Sequence, residues 1–151
     1  MKAAIDVRTA RHDDLDTLSD IFLRASLSNE GDRELILAHP EIQTYDDVHV
    51  RAGHTRVAVL DGCVVGFATL LPGDDFELED LFVTPEWMRH GVARSLIDDL
   101  VAIARRLGAA RIDVTANDHA LAFYEAVGFV ADGRVATPLG GDATRMHLAI
   151  A

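Results

Sequence analysis

The stretch LEDLFVTPEWMRHGVARSL, residues 78–96, decides the fold of this chain. It begins with a run of strand character that Pro85 ends, and it continues into a segment with helical periodicity. Arg89, His90 and Gly91 stand where that helix begins. Such a position suits an anion, because the first amides of a helix are unpaired and glycine lets the anion approach the backbone. The alternative is a plain strand-to-helix turn that needs a glycine.

Composition indicates one ordinary globular domain over residues 1–151. The chain is 49% apolar and 26% charged. Cys63 is the only cysteine, which excludes an intrachain disulfide and fits a reducing compartment. We see no secretory signal at the N-terminus, and no apolar run approaches the ~20 residues of a membrane helix. We therefore expect a cytoplasmic protein without a membrane partner.

The net charge of −11 limits the partners. It argues against nucleic acid, which requires a basic surface. It also repels polyanions in general, so an anion at Gly91 would have to be held by local amides and a few arginines. A cationic second ligand would suit the rest of the surface.

Hydrophobic periodicity predicts the order strand, helix, helix, three strands, helix, strand, helix and two strands. The predicted segments are a strand at 5–8, a helix at 11–27 capped by Asp13, a short helix before Pro40, a hairpin turning at Asp61-Gly62, a strand at 76–83, a helix at 92–107, a strand at 111–114, a helix at 117–128, and strands at 129–132 and 144–150. A strand meander followed by helical crossovers indicates a mixed sheet with helices on its faces.

Residues 117–129, NDHALAFYEAVGF, form a second informative stretch. The two stretches together resemble two motifs of the GNAT superfamily of N-acetyltransferases. The matching positions are Val83, Pro85, Gly91 and Ala93 in the first motif, and Asn117, Ala120, Phe123, Tyr124, Gly128 and Phe129 in the second. The chain departs from the family at Met88, where Arg or Gln is usual, and at Arg89, where a small residue is common. The resemblance spans nearly the whole chain and is weakest in residues 26–54.

This resemblance implies a mixed, mostly antiparallel α/β (α+β) sheet of about six to seven strands flanked by about four helices. It implies acetyl-CoA as co-substrate. The residues that would bind it are Leu81, Phe82, Val83, Met88, Arg89, His90, Gly91, Val92, Ala93, Arg94, Asn117 and Tyr124. The loop amides would hold the pyrophosphate, the Leu81 N–H would reach the acetyl carbonyl, and Val83 would pair with the pantetheine arm. Asn117 would bond a pantetheine amide, cap the following helix, or do both.

Acetyl transfer to an amine needs a base, because a primary amine with a pKa of ~10.4 is almost fully protonated at neutral pH. Glu77 and Glu79 alternate with Leu78 along the predicted strand, and we predict Glu79 as the base with Glu77 as the alternative. The competing interpretation of these carboxylates is a solvated edge pair, or a salt bridge to Arg56 or Arg111.

Tyr124 is the predicted acid that protonates the departing thiolate; otherwise it is a half-buried tyrosine that packs beside Phe123. The seven histidines show no metal-ligand spacing, so we predict no metal site. Cys63 is expected to pack rather than to act as a nucleophile.

The sequence thus predicts an N-acetyltransferase that acts on a primary amine of a small molecule or on an exposed protein amine. The acidic set Asp74, Asp75, Glu77, Glu79 and Asp80 would attract a cationic acceptor, or it is only a solvated turn. Residues 26–54 are expected to form one wall of the acceptor pocket. A non-catalytic acyl-CoA sensor and an interaction protein are the alternatives, and a homodimer is left open.

Overall fold

The computed structural model describes residues 4–28, 30–38, 45–136 and 141–150. Its strands are β1 (Asp6–Thr9), β2 (Thr55–Leu60), β3 (Cys63–Leu71), β4 (Phe76–Val83), β5 (Arg111–Ala116), β6 (Val130–Ala136) and β7 (Asp142–Ala149). Its helices are α1 (Leu15–Leu27), α2 (Glu30–Ala38), α3 (Val48–Arg51), α4 (Val92–Arg106) and α5 (Leu121–Ala126). Within these ranges, no helix is both long and apolar enough to span a bilayer.

The strands form one hydrogen-bonded sheet in the order β1-β2-β3-β4-β5-β7-β6. Strands β4 and β5 are parallel, whereas the pairs β1-β2, β2-β3, β5-β7 and β6-β7 are antiparallel. This confirms the expected mixed, mostly antiparallel α/β fold. The sequence did not predict α3, because a helix of four residues is too short to show a periodic pattern.

The predicted hairpin turn is confirmed. Asp61 and Gly62 both have positive φ, at 50° and 79°, as a two-residue turn of type I′ requires. Cys63, the next residue, is exposed, so the expectation that it packs was wrong.

The predicted cap of the first helix was also wrong by one residue. Asp14 rather than Asp13 stands at the N-cap of α1, after a 3₁₀ turn at His12–Asp14. Its carboxylate accepts bonds from the Arg8 guanidinium at 2.8 and 3.0 Å and from the Arg11 N–H at 2.7 Å. These bonds, the Arg8 one foremost, hold the pKa of Asp14 below its usual range.

The chain divides into two compact units, of which the first comprises Met1–Thr69 and Asp80–Asp99. Its core joins α1 to β2 and β3 through buried apolar side chains, namely Ala10, Leu18, Ile21, Val50, Val57 and Phe67. Phe22, Tyr45 and Phe82 pack against this core and are partly exposed. The second unit comprises Leu70–Glu79 and Leu100–Ala151, and its buried apolar residues include Ile112, Val114, Tyr124, Phe129 and Met146.

Within the first unit, Gly66 of β3 allows an unusually close approach. A Cβ at this position would lie 3.0 Å from the Phe82 carbonyl oxygen, 3.0 Å from Val92 Cγ1 and 3.4 Å from Val83 Cγ2. Strand β4 and the first turn of α4 therefore both contact β3 at a point that has no room for a methyl group. The side chain of Arg56 on β2 also holds α4, through bonds of 2.8 and 3.0 Å to Asp99.

We predict that Gly66→Ala lowers the free energy of unfolding by about 1–3 kcal/mol, because one contact of the new methyl group is a backbone oxygen that cannot rotate away. Thermal or denaturant unfolding measures this loss. Gly133→Ala is the matched control, because a Cβ at Gly133 meets nothing within 4 Å. The control should be neutral or slightly stabilising. Equal stability of the two variants would contradict the close packing at Gly66.

Candidate functional site

A short turn connects β4 to the helix that follows it. Pro85–Trp87 form a 3₁₀ turn, in which the Trp87 N–H donates to the Thr84 carbonyl at 2.9 Å. Glu86 forms an ion pair with Arg24 of α1, and the Trp87 ring lies 5.2 Å from the His90 ring in an edge-on contact. The Trp87 ring thus packs against the loop, and the ion pair of Glu86 ties the turn to α1.

The backbone then reverses through two residues of positive φ, Arg89 at 66° and Gly91 at 84°. The Gly91 carbonyl accepts the first helical bond of α4, from the Ser95 N–H at 3.0 Å. Gly91 is therefore the N-cap of α4. The Ser95 N–H is the first that can bond a carbonyl of the helix, so the amides of Val92, Ala93 and Arg94 have no acceptor within it. No backbone acceptor for these three amides occurs among the described residues.

The side chains around Gly91 leave this helix end open and positive. Met88, Arg89, His90 and Arg94 are exposed, and neither arginine has a carboxylate partner in the described part of the chain. A Cβ on Gly91 would meet nothing within 4 Å. Free amides, the helix dipole and two unpaired guanidinium groups suit a phosphate or diphosphate. These local groups would have to outweigh the repulsion of an anion by the net negative charge of the chain.

Strand β4 presents backbone groups on the side away from β3. Its Thr84 end is fixed to β3, since the Thr84 N–H donates to the Val65 carbonyl at 2.9 Å. N–H groups alternate in direction along a strand, so those of Leu81 and Val83 point the opposite way. The β4–β5 ladder has only three residue pairs, from Phe76↔Ile112 to Leu78↔Val114. Neither Leu81 nor Val83 therefore belongs to that ladder.

Phe82 of β4 and Thr84, the residue after the strand, differ in what they offer. Phe82 places its ring against the aromatic core, 5.1 Å from the Phe22 ring and 5.5 Å from the Phe67 ring, and the residue stays partly exposed. Thr84, which was not predicted, is buried, and its Oγ1 has no hydrogen-bond partner among the described residues.

The two candidate bases have different surroundings. Glu77 accepts two bonds from Arg145, at 2.6 and 3.2 Å, and this pairing raises the pKa of Arg145. The salt bridge envisaged from the sequence thus exists for Glu77, but with Arg145 as the partner. Arg56 instead binds Asp99, and Arg111 binds Asp113. Glu79 is exposed and has no ion pair or hydrogen bond in the described part of the chain.

In the second unit, Tyr124 is buried between Phe123 and Phe129, with ring centroids at 5.3 and 5.2 Å. Its hydroxyl has no hydrogen-bond partner among the described residues, and burial raises the pKa of Tyr124 well above the usual tyrosine range. Asn117 precedes a 3₁₀ turn at Asp118–Ala120, and α5 begins only at Leu121. Asn117 stands at the N-cap of this 3₁₀ turn, but its side chain makes no capping bond.

A further polar network was not predicted from the sequence. The Tyr45 hydroxyl donates to Asp80 Oδ2 at 2.6 Å and lies 3.2 Å from Thr69 Oγ1, which in turn lies 2.9 Å from Thr55 Oγ1. The only available signal was the acidic set that contains Asp80, because Tyr45 lies in a stretch without periodicity. Among the described residues, no cluster of His, Cys, Asp and Glu could hold a metal ion.

The chain is similar to known proteins in sequence and in fold. A family profile described as "Acetyltransferase (GNAT) family" matches residues 15–129. The glucosamine 6-phosphate N-acetyltransferase of Trypanosoma brucei brucei is 32% identical over 109 residues, which are 65% of this chain and 74% of that protein.

Two solved structures are similar over almost their full length. A GCN5-related N-acetyltransferase from Rhodopseudomonas palustris has a TM-score of 0.83 at 26% identity, covering 99% of this chain and 98% of the other. The PaiA N-acetyltransferase from Thermoplasma acidophilum, solved in complex with coenzyme A, has a TM-score of 0.80 at 17% identity, covering 97% and 99%. At that identity the second likeness concerns the fold alone.

If the α4 amides hold a diphosphate, Gly91→Ala should weaken coenzyme A binding about 10-fold or more, because the methyl group occupies the open space and strains a residue of positive φ. Titration calorimetry measures the affinity. Gly108→Ala is a matched control, since Gly108 follows the other end of α4 with a φ of 81° and equally open surroundings. Both variants should lose similar stability, about 1–2 kcal/mol. A parallel loss of affinity in the control would show that strain alone is responsible.

Proposed function

Because the chain belongs to the GNAT family of acetyltransferases and is an acyltransferase, we propose that it moves an acetyl group from acetyl-CoA to a primary amine. The acceptor is an amine of a small molecule or an exposed amine of a protein. The observation that carries this proposal is the open N-terminus of α4, where the amides of Val92, Ala93 and Arg94 follow Gly91 at positive φ. We further propose that residues 1–151 work as one catalytic domain, because the family profile runs through both units.

The residues at α4 fit the diphosphate of coenzyme A. Met88, Arg89, His90 and the amides after Gly91 would hold it, and the exposed guanidinium of Arg94 adds charge. Leu81 would bind the acetyl carbonyl and Val83 the pantetheine arm, through backbone groups that lie outside the β4–β5 ladder. When bound, acetyl-CoA supplies an activated thioester. The Leu81 N–H would stabilise the negative charge that develops on its carbonyl oxygen.

We propose Glu79 as the base. An amine with a pKa of ~10.4 loses its proton at pH 7 at a cost of about 4.6 kcal/mol, and a nearby carboxylate, directly or through a water, can accept that proton. Glu79 is exposed and unpaired within the described residues, whereas Glu77 is occupied by Arg145. This difference in surroundings favours Glu79 over Glu77.

We propose Tyr124 as the acid. Its burial raises the pKa of its phenol, which keeps the group protonated at neutral pH and also makes it a weaker acid, and its hydroxyl is not committed to another described residue. Such a phenol can donate its proton to the thiolate of coenzyme A as the thiolate departs. Asn117, which makes no capping bond, is free to bond the pantetheine arm.

Replacing Glu79 with Gln should lower turnover about 100-fold near pH 7.5. The deficit should shrink as the pH approaches ~10, because more of the acceptor is then already neutral. Thiol release measured across this pH range tests the expectation. Glu77→Gln is the control, which should lose stability through Arg145 while its activity relative to wild type stays constant with pH. A Glu79→Gln deficit of the same size at every pH would remove Glu79 as the base.

Tyr124→Phe should reduce kcat by about 10-fold or more and change the KM for acetyl-CoA less, because the ring still packs but the proton donor is lost. Steady-state kinetics give both constants, and calorimetry should show nearly unchanged coenzyme A affinity. A variant with normal kcat and a raised KM would assign Tyr124 to binding instead. Coenzyme A binding without thiol release by the wild-type protein, over a broad amine set, would indicate a sensor.

A further inference from the structure

The Asp80 carboxylate lies on the face of β4 that α1 covers. Phe82, two residues along the strand, contacts Phe22 of α1, and Tyr45, which donates to Asp80, packs 4.9 Å from the Phe67 ring. The Tyr45 N–H also bonds the Ser19 hydroxyl of α1 at 3.3 Å. Asp80 thus faces the segment around Tyr45, which belongs to the predicted wall of the acceptor pocket.

The hydrogen bonds that link the hydroxyl groups behind Asp80 can run in only one direction, toward the carboxylate. A carboxylate accepts, so the Tyr45 proton goes to Asp80. The Tyr45 oxygen must then accept from Thr69, and Thr69, whose single proton is used, must accept from Thr55. Both threonines are fully buried. Three hydroxyls are therefore aligned toward one carboxylate oxygen, an arrangement that strengthens each bond and fixes the carboxylate in place.

Among the residues that the structure describes, no positively charged group pairs with this carboxylate. In the described part of the chain Asp80 has no ion pair, and Oδ1 has no hydrogen-bond donor, although the side chain is half-buried. Other half-buried carboxylates do have an arginine partner, for example Glu77, Asp99 and Asp14. Phe22, Tyr45 and Phe82 pack against the same core and are partly exposed, so a cation beside Asp80 has aromatic surface close by.

We propose that Asp80, held in place by Tyr45, binds an alkylammonium group of the acceptor, and that the acceptor is an amine with a second positive charge. This inference rests on the proposed acetyl transfer. The bound ammonium is the one that does not react, because a carboxylate that stabilises the charged form of the reacting nitrogen would oppose its deprotonation. The second charge serves recognition, and the first nitrogen takes the acetyl group. Glu79 lies next to Asp80 in β4 and points to the other face of the strand, so it would accept the proton of that nitrogen through a water.

The test compares 1,5-diaminopentane with 1-aminopentane as acceptors, using thiol release from acetyl-CoA. We expect wild-type kcat/KM to be about 10- to 100-fold higher for the diamine, as for a hydrogen bond to a charged group. Asp80→Asn should bring this ratio close to one. Tyr45→Phe should give an intermediate ratio, because the charge remains but loses its fixed position. Asp98→Asn, which removes an exposed charge on α4, should keep the wild-type ratio.

A wild-type ratio near one overturns the inference without any variant, while turnover of both amines leaves the proposed function intact. An Asp80→Asn protein that retains the preference also overturns it, as does a Tyr45→Phe protein with the full wild-type ratio. If neither amine is turned over, calorimetry of 1,5-diaminopentane with the coenzyme-A-loaded protein decides. Binding that Asp80→Asn abolishes supports the inference, and no binding overturns it. Failure of the protein to bind coenzyme A at all would overturn the proposed function itself.

Discussion

The close approach at Gly66 is the constraint on which the candidate site depends. Strand β3 contacts both the Phe82 carbonyl and the Val92 side chain at distances that would exclude a methyl group. Because interiors pack at near-crystalline density, this contact fixes where the first turn of α4 lies on the sheet. The Arg56–Asp99 ion pair and the contact of Glu86 with Arg24 restrain the same region from other directions. The unpaired amides after Gly91 are consequently held in one place and need no rearrangement to bind an anion.

Local and global electrostatics have opposite signs in this chain. The net charge of −11 repels anions at long range, yet the amides of α4 and the exposed Arg89 and Arg94 would act within a few ångströms of a phosphate bound at Gly91. Salt screens the long-range field beyond about 8–10 Å, whereas close, partly desolvated contacts are screened much less. A negative surface is therefore compatible with binding a diphosphate, and it favours a positively charged second ligand.

Strand β4 shows how surroundings differentiate chemically similar groups. Glu77, Glu79 and Asp80 lie within four residues of one another, but one is paired with an arginine, one is exposed, and one accepts from a buried chain of hydroxyls. The first is suited to holding structure, the second to exchanging a proton with a ligand, and the third to holding a charge at a fixed position. No property of the isolated side chains separates these three roles.

The sequence by itself determined the elements that depend on neighbours within a few residues. The turn at Asp61-Gly62, the extent of β4, the start of α4 after Gly91 and the order of strands and helices other than α3 follow from periodicity and from glycine's tolerance of positive φ. The spacing of residues in the two motifs also predicted the GNAT family, and the match to the family profile confirmed it.

Only the tertiary structure decided which distant groups meet. Arg145 lies 68 residues from Glu77, and Tyr45 lies 35 residues from Asp80. Such pairings depend on strand register and on the packing of helices over the sheet, to which every residue of the fold contributes, so that no short pattern encodes them.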